Sequence, residues 1–201
     1  MPNPPVYPPT RRALLRWSAA LLLGAACWGV AQADGADLGQ FSTQRGDDGL
    51  ELSFVANFEL PHSVEDALHK SVPIYFTADV ALLRHRWYWR DARVANVSRT
   101  WRLAYQPLTR QYKVSTGGLN QSFASLPEAM ALVRGQSGWH IADAKELEDG
   151  GGYYIEFSYR LDTSQLPRPM QIGLGATQGW GLSIEHTVAL NPDFSVHSAT
   201  P

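Results

Sequence analysis

Residues 50–60 read Leu50-Glu51-Leu52-Ser53-Phe54-Val55-Ala56-Asn57-Phe58-Glu59-Leu60, and this stretch decides the class of fold. Every even position is apolar, while Glu51, Ser53, Asn57 and Glu59 fill most of the odd ones. Successive side chains of a β-strand point to opposite faces, so a period of two marks a strand with one face in a core and one in water. Pro61-His62-Ser63 stops the strand. Ser63 and Asp66 then resemble a capping box, which predicts a short helix over 63–71.

Outward from there the same alternation returns. Residues 72–83 place Ile74, Phe76, Ala78, Val80 and Leu82 on one face, and residues 153–162 place Tyr153, Ile155, Phe157, Tyr159 and Leu161 on one face. Trp87-Tyr88-Trp89 and residues 94–105 supply further aromatic and β-branched runs of strand character. Gln106-Pro107-Leu108-Thr109-Arg110 reads as a turn, with 111–116 returning as the partner strand; Gly117-Gly118 breaks the chain before 119–123. Ser125, Pro127 and Glu128 mark a second helix, running to Arg134 and ending at Gly135. Trp139-His140-Ile141 is a short apolar run, 166–170 a stiff extended linker and 181–190 a last strand. Residues 34–49, rich in Gly, Asp, Gln and Ser, read as a flexible lead-in, and 191–201 as a flexible tail. No repeat is visible. The expected fold is mainly β: a single antiparallel β-sandwich-like domain over 50–190 with two short helices.

The first 33 residues have a different character. Arg11, Arg12 and Arg16 precede an uncharged apolar run over 17–30, which closes on Ala31-Gln32-Ala33. A positive flank, a short apolar run and a small-x-small site are the parts of a secretory signal peptide, with cleavage expected after Ala33 and a periplasmic destination. The run is shorter than the ~20 residues that span a hydrocarbon core. A twin-arginine route, from Arg11-Arg12, and lipidation at Cys27 are the alternatives to plain cleavage.

Cys27 is the only cysteine, so the rest of the chain has no disulfide, no thiol nucleophile and no thiolate metal site. The chain carries 17 Lys and Arg against 19 Asp and Glu. Three of the arginines lie before Asp34, which leaves a formal charge of −5 from Asp34 onward. That balance favours solubility and points to no polyanionic partner for the domain as a whole.

No residue constellation amounts to an active site. The six histidines, His62, His69, His85, His140, His186 and His197, include no pair at a metal-binding spacing. Gly181-Leu182-Ser183-Ile184-Glu185 lacks the final glycine of a nucleophile elbow and sits in a strand pattern. Asp47-Asp48 and Glu146, Glu148 and Asp149 read as solvated loops, and the glycine runs at 117–118 and 150–152 precede strands, so they are turns and not phosphate cradles. No catalytic residue, metal or cofactor is expected.

The stretch from Arg84 to Lys113 stands apart. It holds Arg84, Arg86, Arg90, Arg93, Arg99, Arg102, Arg110 and Lys113 against one acid, Asp91, with Trp87, Tyr88, Trp89, Trp101, Tyr105 and Tyr112 interleaved. Arginine forks pair phosphate or carboxylate, and aromatic rings anchor partners. Such a face suits lipid headgroups, glycans or an acidic protein, and a periplasmic address argues against nucleic acid. Arg86, Arg90, Arg99 and Arg102 are the candidate charges, with Trp87 or Trp89 as the anchor. The plainer alternative has arginines lining a solvent face while the aromatics pack inward.

At Trp87-Tyr88-Trp89, at residues 105–119 (YQPLTRQYKVSTGGL), 121–126 (QSFASL) and 161–167 (LDTSQLP), the chain resembles a family of exported proteobacterial proteins catalogued as domain of unknown function 4390. The resemblance covers residues 50–190. It implies an envelope location and, from gene neighbourhoods in the family, a link to a membrane two-component sensor of the nitrogen-regulation type. It implies no catalytic residues.

Together these readings lead to a non-catalytic periplasmic binding or adaptor module that modulates an envelope-embedded partner such as a sensor. A small-molecule or lipid carrier is one alternative, and an envelope hydrolase with a scattered site is another. An envelope protein, a small ligand or a membrane surface fits as partner.

Overall fold

The computed structural model describes residues 36–88, 90–166 and 180–197. The expected signal peptide and its expected cleavage point, Trp89, most of the 166–170 linker and the last four residues lie outside them. A compact unit spans Asp34–Pro201.

The described chain is mainly β, as the alternation predicts. Its elements run β1 (Asp37–Arg45), β2 (Gly49–Asn57), α1 (His62–His69), β3 (Ile74–Arg84), β4 (Ala92–Gln106), β5 (Gln111–Thr116), β6 (Leu119–Phe123), α2 (Leu126–Arg134), β7 (Gly135–Asp143), β8 (Tyr153–Leu161) and β9 (Ser183–Ala189). The strands form two antiparallel sheets, a smaller one in the order β1-β2-β7 and a larger one in the order β6-β5-β4-β3-β8-β9.

The period-two stretches form the sandwich's facing surfaces. Leu50, Leu52, Phe54 and Ala56 of β2 are buried against Phe76, Ala78, Val80 and Leu82 of β3 and Ile155, Phe157 and Tyr159 of β8. Phe54 is at the centre, its ring 4.9 Å from Phe157, 6.0 Å from Tyr159, 6.3 Å from Trp101 and 6.4 Å from Trp139. Fully burying one such side chain stabilises the fold by roughly 1.5–3 kcal/mol. Tyr159 donates its hydroxyl hydrogen to the Val133 carbonyl at 2.9 Å, and burial pushes its phenol well above the ordinary tyrosine range. The indole N–H of Trp101 has no acceptor among the described residues.

Several local expectations change. The lead-in read over 34–49 contains β1, an edge strand that hydrogen-bonds along β2 and lays Phe41 5.4 Å from Phe157. Gly39, Gln40, Ser42 and Gln44 face water, as an edge strand permits, so composition concealed it. The tail read from residue 191 is folded as far as His197. Phe194 is buried there against Tyr153 at 5.0 Å, with the Arg45 guanidinium over its ring at 4.8 Å. Helix α1 starts from Pro61, whose carbonyl accepts from Val64 and Glu65, and Ser63 makes no cap. Helix α2 does follow its signals, with Ser125 accepting from the Glu128 N–H.

Gly49 is required where it stands. Its φ of +147° is open to glycine alone, and a Cβ there would collide with the Ala142 carbonyl on β7. This contact fixes the start of β2 against β7.

Candidate functional site

Strands β3 and β4 remain paired as far as Arg84 and Ala92, and the chain reverses between them over residues 85–91. Trp87 and Tyr88 therefore lie in a turn, where the run of aromatics predicted a strand. Trp87 is 94% exposed and Tyr88 67%, their rings meeting edge to face at 5.0 Å. Scattered exposed apolar residues are ordinary on a protein surface, but two adjacent aromatic rings at the tip of a hairpin are not.

The base of this loop is tied down. Asp91 accepts from the Tyr154 hydroxyl at 2.9 Å, faces His85 Nδ1 at 3.1 Å and accepts from the Arg86 N–H at 3.3 Å. The Tyr154 bond is the main cause that holds the Asp91 carboxyl below the ordinary carboxylate range; the Arg86 N–H and His85 add to it, against some desolvation. The same bond raises the Tyr154 phenol. The His85 ring stacks on Tyr154 at 4.6 Å, and its backbone N–H donates to the Gly152 carbonyl at 2.8 Å. Below, Arg84 pairs with Glu148 and lies over the Tyr153 ring at 5.5 Å.

The one acid of the loop is thus turned onto its own base, and the cations are not. Arg86, Arg90 and Arg93 are exposed, and none forms an ion pair among the described residues. Arg93 stands across from Leu83, which in turn stands across from Tyr154, so all three share the outer surface at the loop's foot. The loop therefore presents two aromatic rings at its tip, with Arg86 and Arg90 on the same loop and Arg93 at its foot, on a fixed base.

Of the residues singled out from sequence, Arg86, Trp87 and Arg90 come together on this loop; Trp89 lies outside the described residues. Arg99 and Arg102 do not join them. Arg99 is opposite Ala78, six residues along β3 from Arg84, or about 20 Å at strand spacing. It lies on the inner side, its guanidinium 5.1 Å over the Trp139 ring, where desolvation lowers its pKa. Arg102 is opposite Tyr75 and Ser115 on the outer side, about 30 Å from the loop. An odd spacing on one strand puts two side chains on opposite faces, which divides this pair. Tyr88 and Arg93 belong to the site and were legible in the same run. Tyr154 was not, because its contact with Asp91 spans 63 positions.

A second concavity, about 370 Å³, lies on the outer face of the larger sheet with Ala81, Asn96, Glu156, Glu185 and His186 around it. Its Asp79 is taken up by Arg160. Among the described residues no three His, Asp or Glu side chains are grouped to hold a metal ion, and no helix is long and apolar enough to cross a membrane.

No curated protein and no solved structure matches the chain. The sequence profile of a family described as a domain of unknown function (DUF4390) matches residues 33–189, nearly the whole of the folded unit, and the chain belongs to that family.

Proposed function

We propose that the domain is a non-catalytic binding or adaptor module of the cell envelope that docks through the loop between β3 and β4 and modulates an envelope-embedded partner such as a two-component sensor. The observation that carries this reading is the 94% exposure of Trp87 on a loop whose base is held by Asp91. A large ring kept in water at the end of an ordered support is poised to bury itself elsewhere, and ordering the support beforehand lowers the entropy lost on binding. The packing of Phe54, Trp101, Trp139, Phe157 and Tyr159 between the sheets favours this reading over a carrier, because those rings occupy the space a ligand cavity needs.

The test is in-cell crosslinking with a photo-reactive residue in place of Trp87. The expected result is a reproducible adduct, protein or lipid, that disappears when Arg86→Glu and Arg90→Glu are introduced together. A probe at position 87 that captures nothing, while one on the outer sheet face at Ser98 gives an adduct, would overturn the assignment of the loop.

A further inference from the structure

We infer that the surface this loop docks on is an anionic phospholipid bilayer. The inference rests on the binding reading above and names its target.

The chemistry of the tip matches a headgroup layer term by term. Trp and Tyr are enriched at membrane–water interfaces, where an apolar ring sits among acyl carbons while its N–H or O–H stays among polar headgroups. Trp87 and Tyr88 supply one ring of each kind, in contact with each other and clear of the domain. Arg86 and Arg90 share the loop with them and Arg93 stands at its foot, all without ion-pair partners among the described residues. A guanidinium fork binds phosphate oxygens two at a time and is less strongly hydrated than an ammonium group, which suits it to a headgroup layer.

A protein target fits less well. A protein hot spot buries its aromatic anchor within a ring of near-neutral contacts that exclude water. Here the anchors stand on a hairpin tip with cations beside them, and a bilayer supplies that surround from its own side.

The acids of the domain do not cancel this charge. Glu148 is neutralised by Arg84 and Asp149 by Arg45, while Asp91, bonded to the Tyr154 hydroxyl, His85 and the Arg86 N–H, keeps its charge and leaves Arg86, Arg90 and Arg93 in excess over it. Glu156 is the next acid, two residues from Tyr154 on the outer face of β8 and about 7 Å along that strand, where it offsets charge at the foot of the loop and not at its tip; Asp79 is five residues from Arg84, about 17 Å, beyond the ~8 Å screening length at physiological salt. The negative balance of the whole domain then has an orienting effect: the body is repelled by an anionic surface and the loop is drawn to it.

The experiment uses the chain from Asp34 onward, which contains the whole described core and lacks the apolar leader. It measures co-sedimentation with phosphatidylcholine vesicles, with and without phosphatidylglycerol. We expect binding to the anionic vesicles that falls as salt is raised. Arg86→Glu with Arg90→Glu should weaken it by about 25-fold or more, at roughly fivefold per arginine. Trp87→Ser with Tyr88→Ser should abolish the part that survives high salt. Brominated lipid should quench a fraction of the tryptophan emission that is missing in Trp87→Ser, which ties the contact to this ring and not to general adhesion. All four changes are at exposed positions, and an unchanged far-ultraviolet circular dichroism spectrum with an unchanged unfolding midpoint confirms the fold. Equal binding to neutral vesicles, or binding indifferent to both pairs of changes, overturns the inference. If vesicles are not bound while the photo-probe at position 87 captures a protein, the docking loop stands and the lipid target falls. If neither captures anything, both fall.

Discussion

The two halves of the segment from Arg84 to Lys113 use the same residue types for opposite ends. In the strand half, Trp101 is fully buried between the sheets and Arg99 lies over the Trp139 ring. In the loop half, Trp87 is almost wholly in water and Arg86, Arg90 and Arg93 are without ion-pair partners among the described residues. Position in the hairpin makes the difference. Along a paired strand, one side chain in two must face the other sheet and finds partners there; at a reversal the chain faces nothing, and what it carries remains available. An arginine–aromatic run therefore says nothing about binding until its turn is located.

Single substitutions should separate the two halves. The largest effect belongs to the strand half: Trp101→Ala should lose about 3–5 kcal/mol of stability by denaturant unfolding, through the cavity it leaves. Trp101→Phe should cost clearly less than Trp101→Ala, because the indole N–H has no acceptor to lose. Next, Arg99→Met should lose about 1 kcal/mol, the scale of a partly desolvated cation–ring contact, and leave vesicle binding unchanged. Trp87→Ser should be the mirror image, with stability within about 0.5 kcal/mol of wild type and the salt-resistant part of vesicle binding reduced. If Arg99→Met impaired binding and Trp87→Ser did not, the division drawn here would be reversed.

The smallest effect concerns pH. The Asp91 carboxyl is depressed in the folded chain, so its contacts are fully present above the ordinary carboxylate range and fade as pH falls through the lower folded value. The protection of the Arg86 amide, measured as its exchange relative to an unprotected amide at the same pH, should therefore be greatest at neutral pH and be lost only in that acid window. Asp91→Asn should remove the pH dependence while keeping part of the protection.

Much of the fold was legible because its facing surfaces are regular: β2, β3 and β8 alternate cleanly, and α2 carries its cap in its own sequence. Strand β1 was hidden because an edge strand with a bulge near Leu38 and Gln40 needs few apolar residues. Phe194 was hidden because one buried ring in a polar tail has no period. In the candidate site, Arg86, Trp87 and Arg90 could be read from their types, whereas the separation of Arg99 and Arg102 depended on strand register. The role of Asp91 depended on Tyr154, which no local pattern connects to it.

The order of the strands also bears on how the chain reaches this state. From β3 to β6 each strand pairs with the next in sequence, so that meander closes through short loops. The β1–β2 hairpin also closes locally, but its neighbour β7 begins only at Gly135. A chain emerging N-terminus first must hold Leu50, Leu52, Phe54 and Ala56 without their final cover until some eighty further residues have followed, and longer for β8. Contacts of such separation form slowly, since loop closure comes before any reward from packing. The strand that announces the fold most clearly in sequence, β2, is thus among the last parts to be completed, and for that interval it exposes apolar surface that a chaperone would cover.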